Sequence, residues 1–219
     1  RKNIDTKIIA ITGSCGKTTL KELLGNSLKK ISKVSISPKS YNNKYGVPLS
    51  LFNLNINDDY GVLEIGMDKK GEIDYLSNII KPDVSVITNI NYAHIKNFEN
   101  IKQIALAKSE IIYNTRSNGH VILNADDNFF KLHNTIAKKK KLKVISFGIK
   151  NKKANFKFIN IKKARRNYII SIKLNNLKKM FIISNNYTNN IYNILASLAV
   201  MSIYINIAKL SKNIFSNFK

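Results

Sequence analysis

The chain has little of what would place it outside the ordinary α/β proteins. Among its 219 residues there is no Trp, one Cys, three Pro and nine Gly. A single cysteine, Cys15, excludes an intramolecular disulfide and any Cys-based zinc or iron–sulfur centre. Scarce Pro and Gly exclude collagen-like and linker-dominated architectures. The opening Arg1–Lys7 is polar and charged, with no secretory signal, so a reducing, cytoplasmic setting is expected. Acids are scarce too: 13 Asp and Glu against 37 Lys and Arg give a formal charge of +24. No acid lies beyond Asp127. Arg stands only at positions 1, 116, 165 and 166, and no aromatic stacking module accompanies the lysines. A solvated basic face is therefore expected rather than a nucleic-acid partner.

What is present is enough for a core: 44% of the residues are hydrophobic, including 10 Phe and 10 Tyr. Apolar, β-rich runs alternate with helical stretches over the first two-thirds. Strands are expected at Ile8–Thr12, Val34–Ser37, Tyr60–Met67, Val84–Ile90, His120–Asn124 and Lys143–Phe147. Helices are expected at Thr18–Lys30, Val47–Leu54, Gly71–Ile80, Glu99–Asn114 and Asp127–Lys139, the last ending in the exposed run Lys138–Lys141. Strands separated by helices imply right-handed crossovers and a mostly parallel sheet covered on both faces. Asn155–Asn160, Asn167–Leu174 and Lys178–Ile183 then read as a small antiparallel group, and Thr188–Ala208 as a closing helix. The expected class is α/β: a mostly parallel sheet flanked by helices (about 1–150), antiparallel strands (about 154–184) and the helix (about 188–208). No charged side chain lies between Met180 and Ala208. Asn189, Asn190, Asn193 and Asn206 would carry unpaired amides into hydrocarbon, so no membrane span is expected.

The strongest chemical signal is Ile8-Ile-Ala-Ile-Thr-Gly-Ser-Cys-Gly-Lys-Thr-Thr19, a strand, a glycine-containing turn and a helix that starts on Lys-Thr-Thr. This arrangement aims backbone N–H groups and the positive helix end at a phosphate. Gly13 and Gly16 permit backbone conformations and close approach that a β-carbon hinders. Lys17 reaches the β- and γ-phosphates, and the Thr18 hydroxyl suits Mg²⁺. Glu64, at the end of an apolar strand, is placed where a carboxylate holds a metal in the crevice of a parallel sheet. His94 follows the strand Val84–Ile90 on the same side. Lys108 lies near the apolar side of its helix, where a snorkelling stem is the simplest account. Asn190 and Asn193, three apart, share one helix face.

The spacing Gly13-Ser-Cys-Gly16-Lys17-Thr18-Thr19 is shorter than the common phosphate loop, and it resembles the ATP loop of the Mur ligase superfamily. Further blocks in the expected order are similar to its D-alanyl-D-alanine-adding (MurF) type. They are Tyr41-Asn-Asn-Lys-Tyr-Gly-Val-Pro-Leu-Ser-Leu51, Leu63-Glu-Ile-Gly-Met67 with Gly71-Glu-Ile73, Thr88-Asn-Ile-Asn-Tyr-Ala-His94, Ala105-Leu-Ala-Lys-Ser-Glu-Ile111 and Ile122-Leu-Asn-Ala-Asp-Asp127. Thr188-Asn-Asn-Ile-Tyr-Asn-Ile-Leu-Ala196 resembles the type's His-Asn-x-x-Asn-Ala-Leu-Ala element. Three places depart from the pattern: Asp68-Lys69, Asn189 and Asn185-Asn186.

The resemblance implies an ATP-dependent acid–amino-acid ligase of peptidoglycan precursor synthesis, joining D-Ala-D-Ala to UDP-N-acetylmuramoyl-tripeptide through an acyl phosphate. Its implied ATP site is Gly13, Ser14, Cys15, Gly16, Lys17, Thr18, Thr19, Asn190 and Asn193, with Mg²⁺ at Thr18, Glu64, His94 and a carbamylated Lys108. Catalysis falls to Lys17, His94 and Lys108, and the carboxylate substrate to Asn42 and Asn43. Another ligase of the superfamily (tripeptide-forming or folylpolyglutamate-forming) and a nucleotide-binding domain without ligase activity are the alternatives. The expected unit is a monomeric central ATP-binding domain over 1–219, lacking the flanking UDP-binding and Rossmann-like domains and inactive in ligation alone.

Overall fold

A computed structural model describes residues 5–92, 97–174, 177–184 and 189–216. Nine strands form one sheet in the order β2-β3-β1-β4-β5-β6-β7-β8-β9. The strands are β1 (Lys7–Thr12), β2 (Val34–Ile36), β3 (Tyr60–Glu64), β4 (Val84–Ile87), β5 (His120–Asn124), β6 (Lys143–Gly148), β7 (Phe156–Ala164), β8 (Asn167–Leu174) and β9 (Leu177–Ser184). Among the described residues six α-helices accompany them: α1 (Lys17–Lys29), α2 (Gly46–Phe52), α3 (Glu72–Ile80), α4 (Ile101–Tyr113), α5 (Phe130–Lys139) and α6 (Ile191–Met201).

The central strands are apolar throughout because both of their faces are covered. In β1, Ile9 and Ile11 face a core shared with α1 and α6, while Ile8 and Ala10 face a second core with α2 to α5. β1 lies in parallel between β3, with Ile9 opposite Val62, and β4, with Ile9 opposite Val84. The chain therefore leaves β1 toward one edge and later returns on its other flank. Such a switch point opens a crevice at the carboxyl ends of the strands.

The antiparallel group expected near the C-terminus is present, and it continues the same sheet. β7 enters in parallel with β6, Phe147 opposite Phe156, and β8 and β9 then fold back antiparallel. Their inward residues Phe156, Ile170, Ile172, Phe181 and Ile183 share the α1–α6 core. The β9 edge is met by the C-terminal segment, where Ile182 N donates to Lys212 O at 2.8 Å. That bond occupies one edge donor that would otherwise be open to pairing with another chain.

The closing helix is shorter than its apolar run suggests. α6 ends at Met201, and Asn206 caps a separate 3₁₀ turn by accepting from Ala208 N at 2.9 Å. Apolar composition alone does not locate that break. Likewise α5 starts at Phe130 rather than Asp127, whose carboxylate instead accepts from Phe129 N at 2.8 Å and Ile90 N at 2.7 Å. β3 and β4 stop at Glu64 and Ile87, short of the expected Met67 and Ile90. No helix among the described residues is long and apolar enough to cross a membrane.

Candidate nucleotide-binding site

Loop, helix and strand ends converge in the crevice beside β1. Gly16 precedes α1 with φ 79, a left-handed conformation that favours glycine. Gly13, at φ 145, lies so close to Thr88 that a β-carbon would sit 1.9 Å from its hydroxyl oxygen. Residues after β4 hold the loop from the other side. Ser14 N donates to Asn89 O at 2.9 Å, and Cys15 N donates to Asn89 Oδ1 at 3.0 Å. The Thr88 hydroxyl donates to Cys15 O at 2.7 Å, and Ser14 Oγ donates to Asn91 O at 3.0 Å. The turn is thus fixed by partners more than 70 residues away. Its remaining N–H groups and the positive end of α1 are the arrangement that suits an anion.

Thr18 Oγ1 donates to Glu64 Oε2 at 2.7 Å, and Asn42 Nδ2 donates to Glu64 Oε1 at 2.7 Å. Glu64 is 1% exposed, with its backbone N donating to Ser37 Oγ at 3.3 Å. The chain after Glu64 returns to the same residue, Gly66 N donating to Asn42 O at 2.7 Å. Asn43 serves the local backbone instead. Its Oδ1 accepts from Tyr45 N and Gly46 N at 3.1 and 3.0 Å, closing the turn into α2. Asn42, Asn43 and Lys17 line a cleft of about 940 Å³ with Lys44, Tyr45 and Tyr75.

Lys108 is 2% exposed, deeper than a snorkelling stem requires. Burial, with the Lys17 charge nearby, lowers its amine from the ordinary 10.5 to about 7, while Cys15 opposes this slightly. The structure therefore brings Lys108 toward the loop. Asn193 is buried and also faces the loop, its Oδ1 lying 3.3 Å from where a Gly16 β-carbon would stand. Asn193 Nδ2 donates to Asn190 Oδ1 at 3.3 Å, and Asn190 makes no side-chain cap bond to α6. Thr19 is exposed in the first turn of α1. His94, the remaining site residue expected from sequence, lies outside the described residues.

The donors fit the groups in question. Gly13 and Gly16 keep the loop backbone free of side chains, as a phosphate cradle requires, and Lys17 stands at the helix start. Thr18 and Glu64 offer hard oxygen donors within one hydrogen bond of each other. Among the described residues no three His, Cys, Asp or Glu side chains cluster as a cage. A cation here would depend on hydroxyl, carboxylate and phosphate or water oxygens, which is the chemistry of Mg²⁺.

Sequence reading missed Lys21. It is fully buried, and its ammonium donates to Ser37 O at 2.7 Å, donates to Lys39 O and pairs with Glu22 at 3.2 Å. It ties α1 to the segment leading into Asn42. Its place one helical turn beyond Lys17 was the only signal in the sequence.

The parallel sheet, the crevice and the loop define an α/β phosphate-binding-loop domain. The match to known proteins narrows this further: the Mur ligase middle domain matches residues 11–201, and the chain belongs to that family. It is 41% identical over 163 residues to the UDP-N-acetylmuramoyl-tripeptide–D-alanyl-D-alanine ligase of Buchnera aphidicola from Acyrthosiphon pisum, covering 74% of this chain and 35% of that protein. A crystal structure of MurF from Acinetobacter baumannii superposes with a TM-score of 0.88 at 28% identity, covering 100% of this chain and 47% of that one. MurF ligase from Thermotoga maritima in complex with ADP gives 0.83 at 28% identity, covering 95% of this chain and 48% of that one. The chain thus spans a third to a half of the length of these relatives.

Proposed function

We propose that residues 1–219 form the central ATP-binding domain of an ATP-dependent ligase that joins D-Ala-D-Ala to UDP-N-acetylmuramoyl-tripeptide. The observation that carries this reading is the Gly13–Thr19 loop set against the Thr18–Glu64–Asn42 chain of hydrogen bonds. In this reading the loop would cradle phosphate and Thr18 and Glu64 would offer hard metal ligands, beside the cleft lined by Lys17, Asn42 and Asn43. The named activity of the matched relatives supports the choice of substrates.

In this reading the substrate carboxylate attacks the γ-phosphate of ATP, releasing ADP and giving an acyl phosphate, whose carbonyl the dipeptide amine then attacks to form the amide and release phosphate. Attack of one anion on another requires fixed positive charge at the reacting centre. Lys17 supplies it at the helix end. Thr18 and Glu64 would hold Mg²⁺, with His94 and a carbamylated Lys108 as further ligands. Bound Mg²⁺ would neutralise charge building on the transferred phosphoryl group. Asn42 aims the Glu64 carboxylate, while Asn42 and Asn43 border the carboxylate-substrate side. Asn190 and Asn193 hold the adenine end. A buried amine lowered toward neutrality is also the form of lysine that combines with CO₂, which supports the Lys108 role. ATP and a nucleotide-linked precursor as substrates fit a cytoplasmic, monomeric enzyme without a nucleic-acid partner.

Lys17→Ala tests the reading directly. Isothermal calorimetry with Mg·ATP is expected to show binding in the parent and at least a hundredfold loss in the variant. The melting temperature should stay unchanged, since Lys17 contributes little packing. Equal ATP affinity in a folded variant would overturn the assignment.

A further inference from the structure

Asp126 and Tyr192 lie outside the residues assigned above, and they bind each other at the edge of the site. Asp126 follows β5. Its Oδ2 accepts from Ile149 N at 2.6 Å and Lys150 N at 2.9 Å, and its Oδ1 accepts from Asn151 N at 2.6 Å. Gly148 leaves the space for this, since a β-carbon there would stand 3.1 Å from Oδ1. Asp126 Oδ2 also accepts from the Tyr192 hydroxyl at 3.0 Å. Tyr192 is in the first turn of α6, next to Asn193, whose amide faces Gly16.

Two features make this pair more than another surface contact. First, the opening turn of α6 is tethered from outside, through a phenol on a carboxylate that three backbone N–H groups already fix. Second, the carboxylate pairs with no lysine or arginine among the described residues, although lysines crowd the segment that follows it. Hydrogen bonds of defined direction hold it, and such bonds transmit position as well as attraction. Burial alone would raise the Asp126 carboxyl, yet its backbone and Tyr192 donors bring it below the ordinary range. Burial, with the bond to Asp126 and its charge, pushes the Tyr192 phenol up to about 12. The donor and acceptor roles are therefore fixed at neutral pH.

We propose that the Asp126–Tyr192 bond is a positioning strut that sets the start of α6 over the phosphate loop, governing how tightly the base end of a nucleotide is held independently of its phosphates. The inference rests on the nucleotide reading above. Removing the phenolic oxygen leaves Asp126 with its three backbone donors, so the β5–β6 end keeps its shape. What is lost is the tether on the helix that carries Asn190 and Asn193. The phosphate cradle keeps its own anchors at Thr88, Asn89 and Asn91.

The test is Tyr192→Phe in the 219-residue chain, titrated by calorimetry with ATP and with inorganic tripolyphosphate, each with Mg²⁺. ATP affinity should fall about tenfold, the size expected for one hydrogen bond to a charged acceptor. Tripolyphosphate affinity should stay within about twofold, which a general loosening of the fold would not produce. Parallel weakening of both ligands, or no change in either, would overturn the strut while leaving the nucleotide reading intact. A parent chain that binds neither ligand would overturn the nucleotide reading and the strut together. Melting of the variant, expected within a few degrees of the parent, confirms that folded protein is compared.

Discussion

Up to Asp127 the chain carries 17 cationic side chains and all 13 acids, and from Asn128 onward it carries 20 cationic side chains and none. Across the parallel strands the acids are directed at particular backbone groups. Asp83 accepts from Ile8 N at 2.8 Å and meets Arg116 at 3.4 Å, and Asp59 accepts from Lys33 N at 3.0 Å. Glu110 accepts from Gly71 N and Asp74 N at 3.0 Å each, fixing the start of α3. In β7–β9 cross-strand register puts Lys157 opposite Lys173 and Lys173 opposite Lys178, a row of three like charges. The difference teaches where polar specificity is needed. Loops at the ends of parallel strands have no ladder partners and depend on side chains to hold them. An antiparallel meander satisfies its own backbone, and alternation of inward Phe and Ile with outward Lys suffices to define it.

The comparison would break if the two regions folded independently, and Phe181→Ala asks that. Phe181 on β9 is fully buried and meets Phe215 edge-on with centroids 5.7 Å apart. It belongs to the same core as Ile9 and Leu24 of the parallel half. Truncation should cost about 3–5 kcal/mol. Far-UV circular dichroism is expected to show one cooperative transition at lower temperature for the whole chain. Two separate transitions, with only the first moved, would show that the strand groups are distinct units.

Lys21→Met sharpens the loop side of the comparison. It preserves much of the side-chain volume but leaves Ser37 O and Lys39 O without their buried donor. Each orphaned carbonyl costs about 1–3 kcal/mol, so a net loss of roughly 2–4 kcal/mol is expected. Urea denaturation should register it with an unchanged slope. A neutral result would mean that water replaces the ammonium and that the segment before Asn42 is held otherwise.

These residues also mark how much was legible in advance. Strand–loop–helix order, Gly13–Thr19, Glu64 and the pairing of Asn190 with Asn193 were readable because they depend on local spacing and helical period. Lys21, Thr88, Asn89 and the Asp126–Tyr192 pair were not assigned roles, since their partners lie 16 to 74 residues away and only the folded sheet unites them. Thr88 and Asn89 stood inside a recognisable block, but nothing local shows that they grip Cys15. The length of α6 was overestimated because an uncharged apolar run looks the same whether or not a turn divides it.

Lys108→Met measures what a buried amine costs. The ordinary lysine value is 10.5 and the folded value is about 7. Below about pH 7 both folded and unfolded chains carry the charge, and the fold bears the full burial penalty. Between about 7 and 10.5 the unfolded chain retains a proton that the folded chain releases, so parental stability rises with pH. The variant should therefore melt higher than the parent at pH 6, by several degrees, with the gap narrowed at pH 9 and closing only near pH 10.5. Buffers free of Mg²⁺ and depleted of CO₂ keep carbamylation out of the comparison. A gap that grows with pH would contradict the burial account.

Lys173→Glu carries the smallest expected effect and bears on the meander alone. Lys173 is the middle of the row, so reversing its charge turns two repulsive cross-strand pairs into attractive ones. Directly opposed pairs are worth about 0.2–1 kcal/mol each. Exposed side chains in water keep the total near the lower end. For a chain of this size 1 kcal/mol moves the melting temperature by roughly 2–4 °C, so a rise of about 2 °C at low salt is expected. The gain should disappear in 1 M NaCl, where charges screen within about 3 Å. Lys173→Gln removes the repulsion without adding attraction, and its gain should be about half as large. If both variants gain equally and keep the gain in high salt, the benefit is one of packing or strand propensity. Register alternation would then remain sufficient for the meander, but its charge would carry no measurable penalty.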